Sequence, residues 1–330
     1  MFSIIEKEKV PAILDRFRPI DYVVESKNVE FKISDERLVG KFYLEHGGDS
    51  FVFNKHGLNQ LLKNLHPNLS YKLLWDLNPS DAKDIVNYFL NKRSTVLRFR
   101  TRSDTVNIGS TFYKPIIAVL SNKYRVVNHI DLMPIINKVM DDRYKLDKTM
   151  MHVDWDSFIM RYPSTKISDD GLGVYFGVSL KNGQTGIYDI SVDSMIYEKI
   201  CTNGMIRTIG TNCFLKQRHL GRNIVNKFNH FDEWYNSVLN VNKAYFNECT
   251  HTKFNKGYKF IETMYKTNPL ITKKMAKDML QYVMEYDRSV GNNEPTKWSI
   301  IRGLTKVSQT TSIYNRVAID EVAERVVNGI

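Results

Sequence analysis

Gly173-Val174-Tyr175-Phe176-Gly177-Val178-Ser179-Leu180, then Lys181-Asn182-Gly183-Gln184 and a second β-favouring run at residues 186–190, is the stretch on which the fold class turns. β-branched and aromatic residues suit a pleated, half-buried surface, and Asn-Gly between two such runs is the strongest short hairpin signal. Upstream the same grammar recurs at residues 152–161, in Pro115-Ile116-Ile117-Ala118-Val119-Leu120, and in Val96-Leu97-Arg98-Phe99-Arg100-Thr101-Arg102. Nearer the start, Ile20-Asp21-Tyr22-Val23-Val24-Glu25, Asn28-Val29-Glu30-Phe31-Lys32-Ile33 and Leu38-Val39-Gly40-Lys41-Phe42-Tyr43-Leu44 are spaced like hairpins. In the second of these Val29, Phe31 and Ile33 alternate with polar residues, which predicts one buried and one wet face. Residues 1–19, broken by Pro11 and Pro19, read as a short helix or arm.

Helices interrupt the strands. Leu58, Leu61, Leu62 and Leu65 recur at i, i+3, i+4 and i+7, and Asn78-Pro79-Ser80-Asp81 opens a helix whose stripe is Ile85, Val86, Phe89 and Leu90. Asp131 starts another that runs to Met140. From about Arg222 the pattern is helical to the end. One stripe runs Ile224, Val225, Phe228, Phe231, Trp234, Tyr235, Val238 and another Ile271, Met275, Met279, Val283, Tyr286. Trp298, Ile300, Ile301 and Leu304 mark a third helix, and Ile319, Val322, Ala323, Val326 and Val327 a fourth. The expectation is an α+β fold: a β-rich body with inserted helices, followed by a helical C-terminal third. Its parts are an N-terminal α/β segment at 1–94, a β-rich core at 95–221 and a helical region at 222–330, able to form one compact domain.

Composition narrows the function. The chain has 330 residues, 42% of them hydrophobic, enough for a sizeable core. No apolar run approaches the ~18 residues of a membrane helix, and the start mixes Glu6, Lys7, Glu8 and Lys9 without a signal-peptide core. The expectation is a soluble, intracellular protein with no membrane partner. Three cysteines (Cys201, Cys213, Cys249) without a CxxC pair, and scattered histidines without HExxH, support no disulfide framework, no metal site and no cofactor. GxGxxG, the phosphate-binding P-loop and GxSxG are all missing, so no residue is named catalytic. A Cys201–His219 pair has nothing in the sequence to bring it together. Asp154 and Asp156, two apart, would share one strand face and could hold a divalent metal, which keeps a nuclease as the least favoured reading.

Charge is the positive clue. The net charge is +11, and it is uneven: residues 201–277 hold 13 Lys+Arg against 4 Asp+Glu. Such a concentration suits a polyanion. Three surfaces are candidates. Arg98, Arg100 and Arg102 alternate along a strand, with Lys123, Tyr124 and Arg125 to follow. Lys216, Arg218, His219 and Arg222 surround Gly221 just before a helix. Lys253, Lys256 and Lys259 interleave with Phe254, Tyr258 and Phe260, after Tyr245 and Phe246. Cations tracking phosphates while rings stack on bases is the chemistry of single-strand binding.

A family resemblance points the same way. Thr101-Arg102-Ser103-Asp104, then Ala118-Val119-Leu120-Ser121-Asn122-Lys123-Tyr124-Arg125-Val126-Val127-Asn128, resembles the R-(S/T)-D and V-(V/L)-S-x-x-Y runs of the phage/plasmid-like domain of unknown function 932 family. Ile200-Cys201-Thr202-Asn203-Gly204-Met205 looks like that family's strand end, Arg218-His219 stands where its basic-His pair falls, and Trp298-Ser299-Ile300-Ile301 opens a late helix. The match covers roughly residues 95–328. It departs at Lys199-Ile200, where the family has Arg-Val, and in a longer insertion after Asp104. What the resemblance implies is a phage, prophage or plasmid setting, hence the cytoplasm of a bacterial host cell, and no established catalytic residue. Such genomes often encode single-strand annealing proteins of the RecT and Erf kinds, an analogy resting on charge and gene context. The expected function is therefore a non-catalytic nucleic-acid binder, favouring single-stranded DNA, that serves recombination or replication, with homo-oligomerisation open. The alternative is a virion or host-interaction protein.

Overall fold

A computed structural model describes residues 3–33, 42–46, 49–93, 95–108, 110–121, 124–140, 148–167, 174–198, 213–217 and 229–312, with 315, 318, 319, 322 and 323. The architecture is α+β, as the alternation of periods required. Strand β1 (Ser3–Glu6) leads into helix α1 (Val10–Arg16), and then β2 (Ile20–Glu25), β3 (Glu30–Ile33), β4 (Phe42–His46) and β5 (Asp49–Phe53) follow. Helices α2 (Lys55–Leu65), α3 (Tyr71–Asp76) and α4 (Pro79–Lys92) precede β6 (Val96–Thr101), β7 (Val106–Ile108) and β8 (Thr111–Leu120). After α5 (Met133–Val139) come β9 (Lys148–Val153), β10 (Phe158–Lys166), β11 (Val174–Asn182), β12 (Ile190–Glu198) and β13 (Cys213–Gln217). The last third is α6 (Phe231–His251), α7 (Gly257–Thr267), α8 (Lys273–Ser289) and α9 (Lys297–Ser308).

Two sheets result. The first has the order β2-β6-β8-β5-β4-β3, with β7 hanging from β8, and its β5–β8 pair is parallel. Its apolar face is closed by Leu58, Leu61, Leu62 and Leu65 of α2 and by Val86 and Leu90 of α4, packed on Phe31, Phe51, Phe99 and Val119. Both helices are capped by asparagine: the Asn54 side chain accepts from the Gly57 amide and that of Asn78 from the Asp81 amide. This sheet draws on residues on both sides of 94 and 95, so the expected segment boundary runs through it.

The second sheet, β1-β9-β10-β11-β12-β13, is antiparallel throughout. Phe158, Met160, Tyr162, Phe176, Val178 and Leu180 form its apolar face, covered by Val10 and Leu14 of α1, Ile135 and Ile136 of α5, and Phe231, Tyr235 and Val238 of α6. α1 is the short helix expected within residues 1–19, and β1 corrects the reading of the residues before it. Ser3-Ile4-Ile5-Glu6 pairs with residues 148–151, and a four-residue strand leaves no periodicity to detect. The Asn-Gly signal marks the end of β11, but the expected partner strand at 186–190 is corrected: seven residues, 183–189, join β11 to β12, which starts only at Ile190, and Gly183 takes no positive φ. The extra length forms a tip that enters the junction between the two sheets.

In the helical third, α7, α8 and α9 share a core of Ile261, Met264, Met279, Val283, Ile300 and Leu304, joined by Ile319, Val322 and Ala323. Phe246, Cys249, Trp298 and Ile301 connect it to Val174 and Ile196 of the second sheet. Ile224, Val225, Phe228, Val326 and Val327 lie outside the described residues. At Gly303 a Cβ would stand 2.6 Å from Val283 Cγ2 and 2.8 Å from Met279 Cγ, so glycine is what lets α9 approach α8. Gly303→Ala is expected to cost about 1–3 kcal/mol by overpacking; a urea midpoint equal to wild type would show that the two helices can spread freely. Among the described residues no helix is long and apolar enough to cross a membrane.

Candidate nucleic-acid interface

The strand arginines are the first test of the sequence reading. Arg98 and Arg100 do share one face, opposite Val23 and Asp21 of β2. That face, however, meets the β11–β12 tip. Arg100 is 0% exposed: its Nε and Nη2 donate to Asp21 Oδ1 and Oδ2, both at 2.9 Å, and its Nη1 donates to Gln184 O at 2.9 Å. Its expected phosphate contact is therefore corrected to an internal one, because a fully buried guanidinium with each nitrogen bonded inside the protein presents no donor at the surface for a phosphate. Arg98 is half-buried and donates to Tyr124 O at 3.3 Å. Arg102 lies past the end of β6, after a bulge, where its Nε donates to Asp104 Oδ1 at 2.7 Å and its guanidinium stands 5.7 Å from the centre of the Trp155 ring. The hydrogen bond from Arg102 holds the Asp104 carboxyl below its ordinary range.

The tip accounts for Tyr124 as well. Tyr124 Oη donates to Gly183 O at 3.1 Å, and burial pushes its phenol well above the ordinary value. Gln60 Nε2 donates to Thr185 O at 2.8 Å, joined there by His56 Nε2 at 3.2 Å. Gln184 Nε2 donates to Phe17 O and Trp155 O, both at 2.9 Å, and Gln184 Oε1 accepts from the His129 amide. Buried polar groups must be satisfied in this way, so the junction consumes the polar residues that a sequence would offer to a ligand. Arg125 is exposed, and Lys123 lies outside the described residues.

Lys216 is exposed on the edge strand β13, opposite Ser191. Arg218, His219, Arg222 and Cys201 lie outside the described residues. Beside Lys216 is a cleft of about 300 Å³ lined by Lys181, Ile187, Tyr188, Asp189, Ser191 and Asp193. Two lysines and two aspartates in one lining balance each other, unlike a polyanion site. Cys213, at the same edge, has its thiol pushed up to about 12, by burial first and then by Asp193. It is a protonated thiol at neutral pH and no nucleophile. Iodoacetamide at pH 8 is expected to label Cys213 far more slowly than a free thiol; rapid labelling at that position on a mass-spectrometric time course would contradict this.

Asp154 and Asp156 are corrected too. They lie in the turn between β9 and β10 and not on a strand face. Asp154 Oδ1 accepts from the Asp156 and Ser157 amides at 2.9 and 2.7 Å and from Ser157 Oγ at 3.1 Å, while its Oδ2 accepts from His152 Nε2 at 3.0 Å. Burial opposes the charge, but these bonds outweigh it and hold the carboxyl down at about 2. Burial and the Asp154 charge push Asp156 the other way. This is the chemistry of a turn that caps itself. Among the described residues no three His, Cys, Asp or Glu side chains are placed to hold a metal ion.

The third candidate divides between its lysines and its rings. Phe246 packs edge-on against Trp298 at 4.9 Å, Phe254 packs on Phe260 at 5.1 Å, and Tyr258 Oη donates to Asp287 Oδ2 at 3.2 Å. These rings build the helical core, which corrects their expected role as base-stacking groups. Lys253, Lys256 and Lys259 are exposed, and so are Lys266, Lys273, Lys274 and Lys277, which the site reading had left out. Helical phase explains the sorting. Ile261 and Met264 of α7 and Met275, Ala276 and Met279 of α8 point inward, and the lysines fall off those stripes. Over residues 253–277 seven lysines stand against one carboxylate, Glu262. None of the seven makes an ion pair among the described residues.

Neither family models, nor curated proteins, nor solved structures yield a match to this chain.

Proposed function

We propose that the protein is a stoichiometric nucleic-acid binder whose phosphate contacts come from the lysines of α7 and α8. The observation that carries this reading is the run of seven exposed lysines, with no ion pair among the described residues and a single acid among them. Such a run is unfavourable on its own account, since like charges repel. Lys273 and Lys274 also occupy the first turn of α8, where the helix dipole disfavours cations. A polyanion relieves both costs. The phage or mobile-element setting implied by the family resemblance makes recombination or replication the process served. The test is fluorescence anisotropy with single- and double-stranded oligonucleotides across a salt series, with Mg²⁺ and a gel of the products. Submicromolar binding that weakens steeply with salt and leaves the strands intact is expected. Salt-insensitive or absent binding sinks the proposal, and Mg²⁺-dependent cleavage replaces it with a nuclease.

One observation favours the structural or host-interaction alternative. β2 is an edge strand that exposes Ile20 and Val23, with Val96 exposed on the adjoining β6. An apolar sheet edge invites pairing with another chain. Weak DNA binding, indifferent to strandedness, together with self-association would move the assignment there.

A further inference from the structure

The cleft beside Lys216 takes its shape from the register of three strands. Lys181 of β11, Ser191 of β12 and Lys216 of β13 stand opposite one another in a single row. Asp189 and Asp193 lie two residues before and two residues after Ser191, and period two brings both carboxylates to the same lining. Asp193 is already committed. It is buried, its Oδ2 accepts from Ser191 Oγ at 3.0 Å, and it takes a further hydrogen bond from the Cys213 thiol of β13. Lys181 and Tyr188 also have partners of their own. Asp189 and Lys216 differ: one is half-buried and the other exposed, both line the cavity of about 300 Å³, and neither makes an ion pair among the described residues. A carboxylate and an ammonium thus share one small cavity without meeting. Ile187, 36% exposed, adds an apolar wall.

We propose that this cleft binds a small zwitterion with an apolar side chain, the chemistry of a free apolar α-amino acid, its carboxylate on Lys216 and its ammonium on Asp189. The signs of the lining select this class. A plain anion would pair with Lys216 but stand against Asp189 and Asp193, and a plain cation would pair with Asp189 but stand against Lys216. A ligand with both charges leaves neither group facing its like, and two charge-assisted contacts fix its direction in the cleft. Ser191 Oγ, its proton given to Asp193, is left as an acceptor at the cavity wall and suits an ammonium. Size agrees: the cavity lies at the low end of the ~300–1,000 Å³ range of small-molecule sites, which admits a metabolite and no polymer. An aliphatic side chain on the ligand would cover the part of Ile187 that now meets water. Strand pairing holds Ser191 and Lys216 in place beforehand, so little ordering entropy is lost on binding. The lysines of α7 and α8 take no part in this site, which stands whether or not they bind nucleic acid.

Isothermal titration calorimetry with leucine, N-acetylleucine (no ammonium) and leucinamide (no carboxylate) tests this on wild type, Asp189→Asn and Lys216→Gln. The three proteins are expected to share one circular dichroism spectrum and one urea midpoint, because the altered groups meet solvent and make no ion pair. Wild type is expected to bind leucine at least about tenfold more tightly than either derivative. Asp189→Asn should bind leucine more weakly and lose its preference over N-acetylleucine, while keeping its preference over leucinamide. Lys216→Gln should do the reverse. A merely structural role of either residue would not produce that crossed pattern. Equal affinity of wild type for the three compounds, or preferences that both variants leave untouched, overturns the site. So does the absence of any binding heat at millimolar leucine, isoleucine, valine, methionine and phenylalanine. Ile187→Ser should narrow the preference for leucine over glycine, and an unchanged preference would overturn the apolar part of the assignment.

Discussion

Arg100→Met is expected to lower the unfolding free energy by about 3 kcal/mol and to leave the salt dependence of nucleic-acid binding unchanged. The guanidinium is fully buried and joins β2, β6 and the β11–β12 tip through Asp21 and Gln184. Removing it strands the Asp21 carboxylate and one carbonyl without their donors, and that desolvation loss exceeds the value of the pair itself. Asp21 retains some contact with water, which places the effect at the lower end of the range for buried pairs. Asp21→Leu combined with Arg100→Met should recover part of the loss, because no orphaned charge then remains. Urea denaturation read by tryptophan fluorescence gives both numbers. A loss under about 1 kcal/mol would show that the two sheets hold together without this contact, and a flatter salt slope would return Arg100 to the ligand surface.

Replacing Lys253, Lys256, Lys259, Lys266, Lys273, Lys274 and Lys277 with glutamine should have the largest effect on binding. Each phosphate neutralised on a single strand contributes about −0.7 to the slope of log K against log salt, so the slope should flatten by up to about 5. Stability should hold or rise slightly, since Lys273 and Lys274 no longer oppose the α8 dipole. Partial replacement locates the contact. If the α7 set (Lys259, Lys266) and the α8 set (Lys273, Lys274, Lys277) each remove a share in proportion to their number, the strand crosses both helices. A slope unchanged by all seven substitutions would refute the proposed interface, and binding would then have to be sought at Arg125 and Lys216.

The two variants separate what local pattern could and could not reveal about the site. Alternation in Val96-Leu97-Arg98-Phe99-Arg100 correctly puts Arg98 and Arg100 on one face, but whether that face is wet depends on a hairpin tip some 84 residues away. The same holds for the rings. Phe254, Tyr258 and Phe260 among lysines have the composition of a binding surface, and only the packing of α7 on α8 and α9 turns them inward. Conversely, Tyr71-Lys72-Leu73-Leu74-Trp75 has an ordinary helical composition, and nothing in it announces that Leu74 alone is buried. The lysine run needed no tertiary information: seven cations with one acid over a stretch of amphipathic helix cannot all be buried.

By itself the sequence determined the α+β class, the apolar faces of α2 and α4, the start of α4 at Asn78-Pro79 and the basic character of residues 253–277. Each follows from periodicity, cap chemistry or charge density, which act over a few residues. The tertiary structure alone decided that Ser3-Ile4-Ile5-Glu6 is a strand, that residues on both sides of 94 share a sheet, that Asp154 serves its own turn, and that Arg100 is a structural ion while Trp75 meets solvent. Burial is the reason. Whether a charge or a ring is covered is set by which surfaces meet after folding, and the free energy of that meeting is distributed over residues that the chain keeps far apart.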